Sequence, residues 1–114
     1  MPDWRVPTDL RSLIADDKDA TWDCDDWLPI TLSVVGGTQH DGRNIDLAWQ
    51  IEYEPTGCTG YDFCDRVVAA ADSADPELVP LLNCGDTESA ACVIWVETDN
   101  ACKRLLAIVW PMVG

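Results

Sequence analysis

The sequence predicts an α+β fold, a four-stranded and mostly antiparallel sheet built from two β-hairpins with two to three helices packed on it. Three observations lead there. Apolar residues alternate with period two through residues 28–35 and again through 45–54, the pattern of half-buried strands. The stretch between Tyr61 and Ala71 places its apolar residues at helical spacing instead. Residues 91–96 and 103–110 form two β-prone runs separated by Asp99-Asn100, a good two-residue turn. The 114 residues are the usual size of one domain, so residues 1–114 are expected to form a single acidic α+β domain. With 47% apolar residues and six tryptophans, such a chain has enough side-chain area to bury a core without a disulfide or metal staple.

Along the chain, Thr8 can cap a short helix over residues 8 to 16, with Leu10, Leu13 and Ile14 on one side. Residues 16 to 26 place six aspartates around Lys18, a density that favours loop or turn. In the first strand Leu28, Ile30, Leu32 and Val34 point one way, and Gly36-Gly37 is expected to end it. After a polar loop of about eight residues, the second strand sets Ile45, Leu47, Trp49, Ile51 and Tyr53 against a wet face of Asp46, Ala48, Gln50, Glu52 and Glu54. Thr59 with Asp62 resembles a capping box at the start of the next helix. That helix has a stripe of Phe63, Cys64, Val67, Val68 and Ala71, with Asp62, Asp65 and Arg66 toward water. Asp75-Pro76 offers a start for a further short helix to Leu82. In the C-terminal hairpin, the expected register sets Trp95 opposite Arg104, Glu97 opposite Cys102 and Ile94 opposite Leu105.

Charge is the outlying property: 21 acidic against 7 basic residues give a net charge of −14 and a pI near 4.1. Nucleic-acid binding draws most of its affinity from cations that neutralise phosphates, so direct binding of nucleic acid is not expected, nor of an anionic membrane surface. The same field steers basic partners inward. The first residues have neither the basic start nor the apolar core of a secretory signal, and no apolar run reaches a membrane span, so a cytoplasmic location with reduced thiols is expected.

Catalytic and metal motifs do not emerge. Structural zinc sites pair ligands two to four residues apart, whereas five residues separate Cys58 from Cys64, seven separate Cys84 from Cys92 and nine separate Cys92 from Cys102. Cys58 with Cys64 is the best pair for a disulfide or a metal, and a metal- or redox-responsive domain using Cys58, Cys64 and Cys84 is the reading that would follow from it. A helix-loop-helix calcium loop starting at Asp17 would need Gly and Glu where Trp22 and Leu28 stand. His40 is the only histidine and sits in a loop flanked by Gly and Asp, with no local motif that nominates a cysteine beside it. No enzyme activity, metal or cofactor is therefore expected.

Interaction chemistry is better supported. The candidate partner-binding residues are Asp16, Asp17, Asp19, Trp22, Asp23, Asp25, Asp26 and Trp27 in the acidic loop, with Asp46, Glu52 and Glu54 on the second strand. Carboxylates pair with Lys and Arg, and tryptophan supplies desolvated anchor area. From Val67 to Cys102 there is no basic residue. In size, charge and absence of catalytic motifs the chain resembles small acidic stoichiometric inhibitors. These include bacterial immunity proteins and antitoxins that block basic toxin or nuclease domains, and phage proteins that block nucleic-acid-handling defence systems (anti-CRISPR or anti-restriction) by imitating a polyanion. The expected function is accordingly to bind and occlude a basic protein partner.

Overall fold

The computed structural model describes residues 9, 12, 21–24, 29–40 and 42–113, and for residues 21, 37–40 and 43–47 it describes the backbone course. Asp9 and Ser12 are helical. The rest of the helix expected over residues 8 to 16 lies outside the described residues, as do residues 16–20 and 25–28.

The described chain forms a four-stranded antiparallel sheet in the order β1-β2-β3-β4, with two α-helices. The strands are β1 (Thr21–Cys24), β2 (Thr31–His40), β3 (Arg43–Tyr53) and β4 (Cys92–Val96). Helix α1 (Gly60–Ala74) connects β3 to the segment before β4, and helix α2 (Asp99–Val109) follows β4.

The sheet's register aligns two apolar rows. Cys24, Leu32, Ile51 and Ile94 are successive cross-strand partners, and so are Trp22, Val34, Trp49 and Val96. Leu32, Ile51, Ile94 and Val96 are almost wholly inaccessible, and Phe63, Val67 and Ala71 of α1 and Ala101, Cys102, Leu105, Leu106 and Val109 of α2 belong to the same core. Both helices therefore lie on the one sheet face that these rows present. Each buried leucine or isoleucine removed from water contributes about 1.5–3 kcal/mol.

The β2–β3 hairpin is longer than expected. Gly36-Gly37 does not end the strand: β2 continues to His40, which pairs with Arg43 across a two-residue turn at positions 41 and 42. Gly42 has φ +77°, the left-handed conformation that a tight hairpin turn requires and that glycine adopts without a Cβ penalty. His40, expected in a loop, is thus a strand residue.

The largest correction concerns the C-terminus. Residues 99–109 are helix α2, so the expected hairpin and its pairings of Trp95 with Arg104, Glu97 with Cys102 and Ile94 with Leu105 do not form. Trp95 and Ile94 pair instead with Gln50 and Ile51 of β3. Thr98 is the N-cap, its hydroxyl accepting from the Ala101 N–H at 3.1 Å, and Asp99 sits in the first turn, where a negative charge suits the helix dipole. The apolar residues of this segment recur at 101, 102, 105, 106 and 109, a helical stripe that its β-prone composition concealed. The fourth strand is supplied by Thr21–Cys24, within the stretch expected to be loop.

Helix α1 begins as expected, with the Thr59 hydroxyl accepting from the Asp62 N–H. Its start is pressed against the turn before β4. The Gly60 N–H donates to Ser89 O at 2.9 Å, and a Cβ on Gly60 would lie 2.1 Å from Glu88 O and 2.3 Å from Ala91 O. Asp75 is the C-cap of α1 and not the start of a new helix. A single 3₁₀ turn at Val79–Leu81 follows it. The Asp75 carboxylate accepts from Arg104 Nε at 2.7 Å and Nη2 at 2.5 Å, a bidentate pair that ties the end of α1 to α2. On the outer side of β4, Asn83 exchanges both backbone hydrogen bonds with Trp95 and covers part of that edge.

Two expectations follow. Gly60→Ala destabilises the fold by roughly 2–3 kcal/mol, since backbone oxygens cannot yield to the new carbon, and Thr98→Ala costs about 1 kcal/mol. Urea denaturation measures both, and an effect near zero for Thr98→Ala would contradict its capping role. The second concerns acid stability. The Arg104 hydrogen bond holds the Asp75 carboxyl below its ordinary value of 3.8. The pair's contribution is therefore fully present above that value and disappears as pH falls through the lowered one. Acid titration of Arg104→Ala, compared with the parent, should show this part of the acid limb flattened.

Candidate functional site

The sheet face turned away from the helices is the one whose residues alternate with the core rows. On it Asp23 pairs with Ser33, Thr31 with Glu52, Ser33 with Gln50, Glu52 with Val93, and Gln50 with Trp95. Near β4 this face is buried, with Ala48 and Trp95 forming a small cluster separate from the main core. Toward the ends of β2 and β3 it becomes polar and acidic.

At that end Pro29, Thr31, Glu52, Tyr53 and Glu54 line a depression of about 420 Å³ that is open to solvent. Glu52 is half-buried between its two cross-strand neighbours, and Glu54 is exposed just beyond the end of β3. The alternation of the strand puts both carboxylates on one side, while Tyr53 between them turns to the helix side. There its ring packs against Phe63 of α1, with centroids 4.7 Å apart and planes tilted by 55°. That contact anchors the end of β3 on the core, so the two glutamates project from a held backbone. Among the described residues, none that lines it is basic.

Chemically the depression suits a long cationic side chain. Its aliphatic stem would lie on Pro29 and the strand end, and its charged head would reach the Glu52 and Glu54 carboxylates and the Thr31 hydroxyl. Asp23 stands on the same sheet face at the β1 edge, its carboxylate accepting from the Ser33 hydroxyl at 2.5 Å. The hydrogen bond holds one oxygen of this exposed carboxylate.

Of the residues expected to bind a partner, the structure brings Glu52 and Glu54 together and puts Asp23 on their face of the sheet. Trp22 belongs to the opposite face, half-buried and packed against the core. Asp46 lies in β3, and its side chain is outside the described ones. Asp16, Asp17, Asp19, Asp25, Asp26 and Trp27 lie outside the described residues. Pro29, Thr31 and Tyr53 were not nominated by the sequence. Their part depends on the β2–β3 register, which a hairpin with a two-residue turn fixes and which the Asp-Gly pair at positions 41 and 42 could have signalled.

All six cysteines are free. Cys64 of α1 and Cys92 at the start of β4 are buried in the main core, and Cys84, in the segment before β4, is half-buried and packed against it. Burial and its thiol neighbours push Cys84 upward, and burial and Cys64 push Cys92 up to about 12. The sequence had favoured Cys58 as the partner of Cys64. Among the described residues, no group of three or more His, Cys, Asp or Glu side chains is arranged to hold a metal ion. Nor is any described helix long and apolar enough to cross a membrane.

No protein family model matches the chain, and comparison with curated proteins and with solved structures finds no match.

Proposed function

We propose that this chain is a small acidic binding protein of the inhibitor or immunity type, which associates stoichiometrically with a basic protein and covers its functional surface. The observation that supports this most is the pairing of Glu52 and Glu54 at an open depression, on a chain of net charge −14 and with no base among the described lining residues. Among the described residues, neither carboxylate has an ion pair. Unpaired carboxylates at a concave site attract cations from a distance, and partial burial of Glu52 strengthens the interaction once the cation has docked.

The depression would receive one Lys or Arg side chain of the partner. Asp23, held by Ser33, would meet a second cation further along the same face. The partner is a basic toxin domain or a nucleic-acid-handling enzyme, whose own cationic surface is built to meet a polyanion. In that role the protein needs neither catalytic residues nor a cofactor.

Affinity capture from the native host identifies the partner, and binding is then measured against salt. The affinity should fall steeply with ionic strength, and Glu52→Gln should weaken binding about tenfold, or ~1.4 kcal/mol. Glu54→Gln, at a more exposed position, should weaken it less and act mainly on the association rate. Binding that ignored salt and both substitutions would overturn the proposal.

A further inference from the structure

The depression at the end of β3 offers more than negative charge, because its acceptors have a defined arrangement. Thr31 and Glu52 are cross-strand partners, a relation that sets their Cβ atoms about 5 Å apart on the face turned away from the helices. Glu54 follows Glu52 by two residues, which in an extended chain carries it about 7 Å further along the same side. Pro55 disfavours helical backbone at Glu54 and keeps that residue extended. Thr31, Glu52 and Glu54 all line the one cavity, together with Pro29 and Tyr53. The strand end that carries both carboxylates is held by the packing of Tyr53 on Phe63, with ring centroids 4.7 Å apart.

Two carboxylates and a hydroxyl spaced in this way distinguish between the two cationic side chains. A lysine ammonium is a compact, strongly hydrated point charge with three donors. Seated against Glu52, it is centred away from Glu54. An arginine guanidinium is a flat fork with five N–H donors directed along its edges, so one edge can meet Glu52 bidentately while the remaining N–H groups reach Glu54 and the Thr31 hydroxyl. Hydration acts in the same direction. Glu52 is half-buried, so a cation that reaches it sheds part of its water, and the guanidinium is the more weakly hydrated of the two. The cavity of about 420 Å³ falls within the range of roughly 300–1,000 Å³ typical of small-molecule pockets, with room for the arginine stem along Pro29.

We propose, building on the cation-binding role given above, that the depression is a guanidinium site that selects an arginine side chain of the basic partner over a lysine. Glu52 takes one edge of the fork, and Glu54 and Thr31 take the N–H groups that point away from it. An arginine at the centre of the partner's contact surface is then the residue that this protein covers, and its replacement by lysine keeps the charge but loses the fork.

The test needs no knowledge of the partner. The whole protein, labelled with ¹⁵N, is titrated at low ionic strength with Nα-acetyl-arginine methylamide and with Nα-acetyl-lysine methylamide, which carry the same charge on the same backbone. Both should shift the amides of Thr31 and of Glu52, Tyr53 and Glu54, and the arginine compound should bind about tenfold more tightly. The asymmetrically dimethylated arginine compound keeps the charge but blocks one end of the fork, and its affinity should fall to the level of the lysine compound. In Glu52→Gln the preference for arginine should disappear, with unchanged shifts of core amides such as Val67 and Leu105 showing that the variant is folded. Equal affinity for arginine and lysine, with both lost in Glu52→Gln, would overturn the guanidinium preference and leave the acidic binding surface standing. Undiminished binding of the dimethylated compound would likewise overturn the preference. Shifts at these four amides from neither compound would overturn both the preference and the cation-binding role.

Discussion

The register of the sheet is the constraint on which everything else in this molecule rests. Two cross-strand rows, Cys24–Leu32–Ile51–Ile94 and Trp22–Val34–Trp49–Val96, turn one face of four strands into a continuous apolar surface. A slip of one residue in any strand would send its apolar set to the other face and bring Asp23, Ser33, Gln50 or Glu52 into the core. The two helices are placed by this surface. α1 lays Phe63, Val67 and Ala71 on it, and α2 adds Leu105, Leu106 and Val109. Gly60 permits the close approach at one end of α1, and the Asp75–Arg104 pair joins its other end to α2.

Concentrating the apolar demand on one face leaves part of the other free for charge. The same alternation that hides Ile51 presents Glu52, and the turn of Tyr53 toward Phe63 anchors the strand end from which Glu54 projects. The acidic depression is therefore a consequence of the register as much as of the composition. A charge that served solubility alone would need no such placement, whereas a binding surface gains from carboxylates whose backbone is already held, because less freedom is lost on association.

Much of this was legible in the sequence, and the rest was hidden for identifiable reasons. The period-two pattern located β2 and β3, and the Thr59 cap with its apolar stripe located α1, because these signals are local and agree with the tertiary packing. The run from Lys103 to Trp110 was misleading: Leu, Ile, Val and Trp are frequent in strands, and Asp99-Asn100 is as good a helix start after Thr98 as it is a turn. Only the recurrence of Ala101, Cys102, Leu105, Leu106 and Val109 distinguishes the two, and that stripe is filled by residues that also suit a strand. Thr21–Cys24 was concealed in a different way. Its aspartates favour turns when isolated, but pairing with β2 supplies the backbone hydrogen bonds, and Ser33 supplies Asp23 with a partner. Glu52 and Glu54 could be nominated from alternation alone, whereas Pro29 and Thr31 could join them only once strand pairing was known.

The most direct measurement is a hydrogen-exchange footprint of the complex between this protein and the basic partner proposed for it. Protection on binding should be concentrated at Thr31–Ser33, at the Glu52–Glu54 end of β3 and at Asp23, with the backbone of α1 and α2 exchanging as in the free protein. Protection confined to the helices, with the acidic strand end unchanged, would contradict the account.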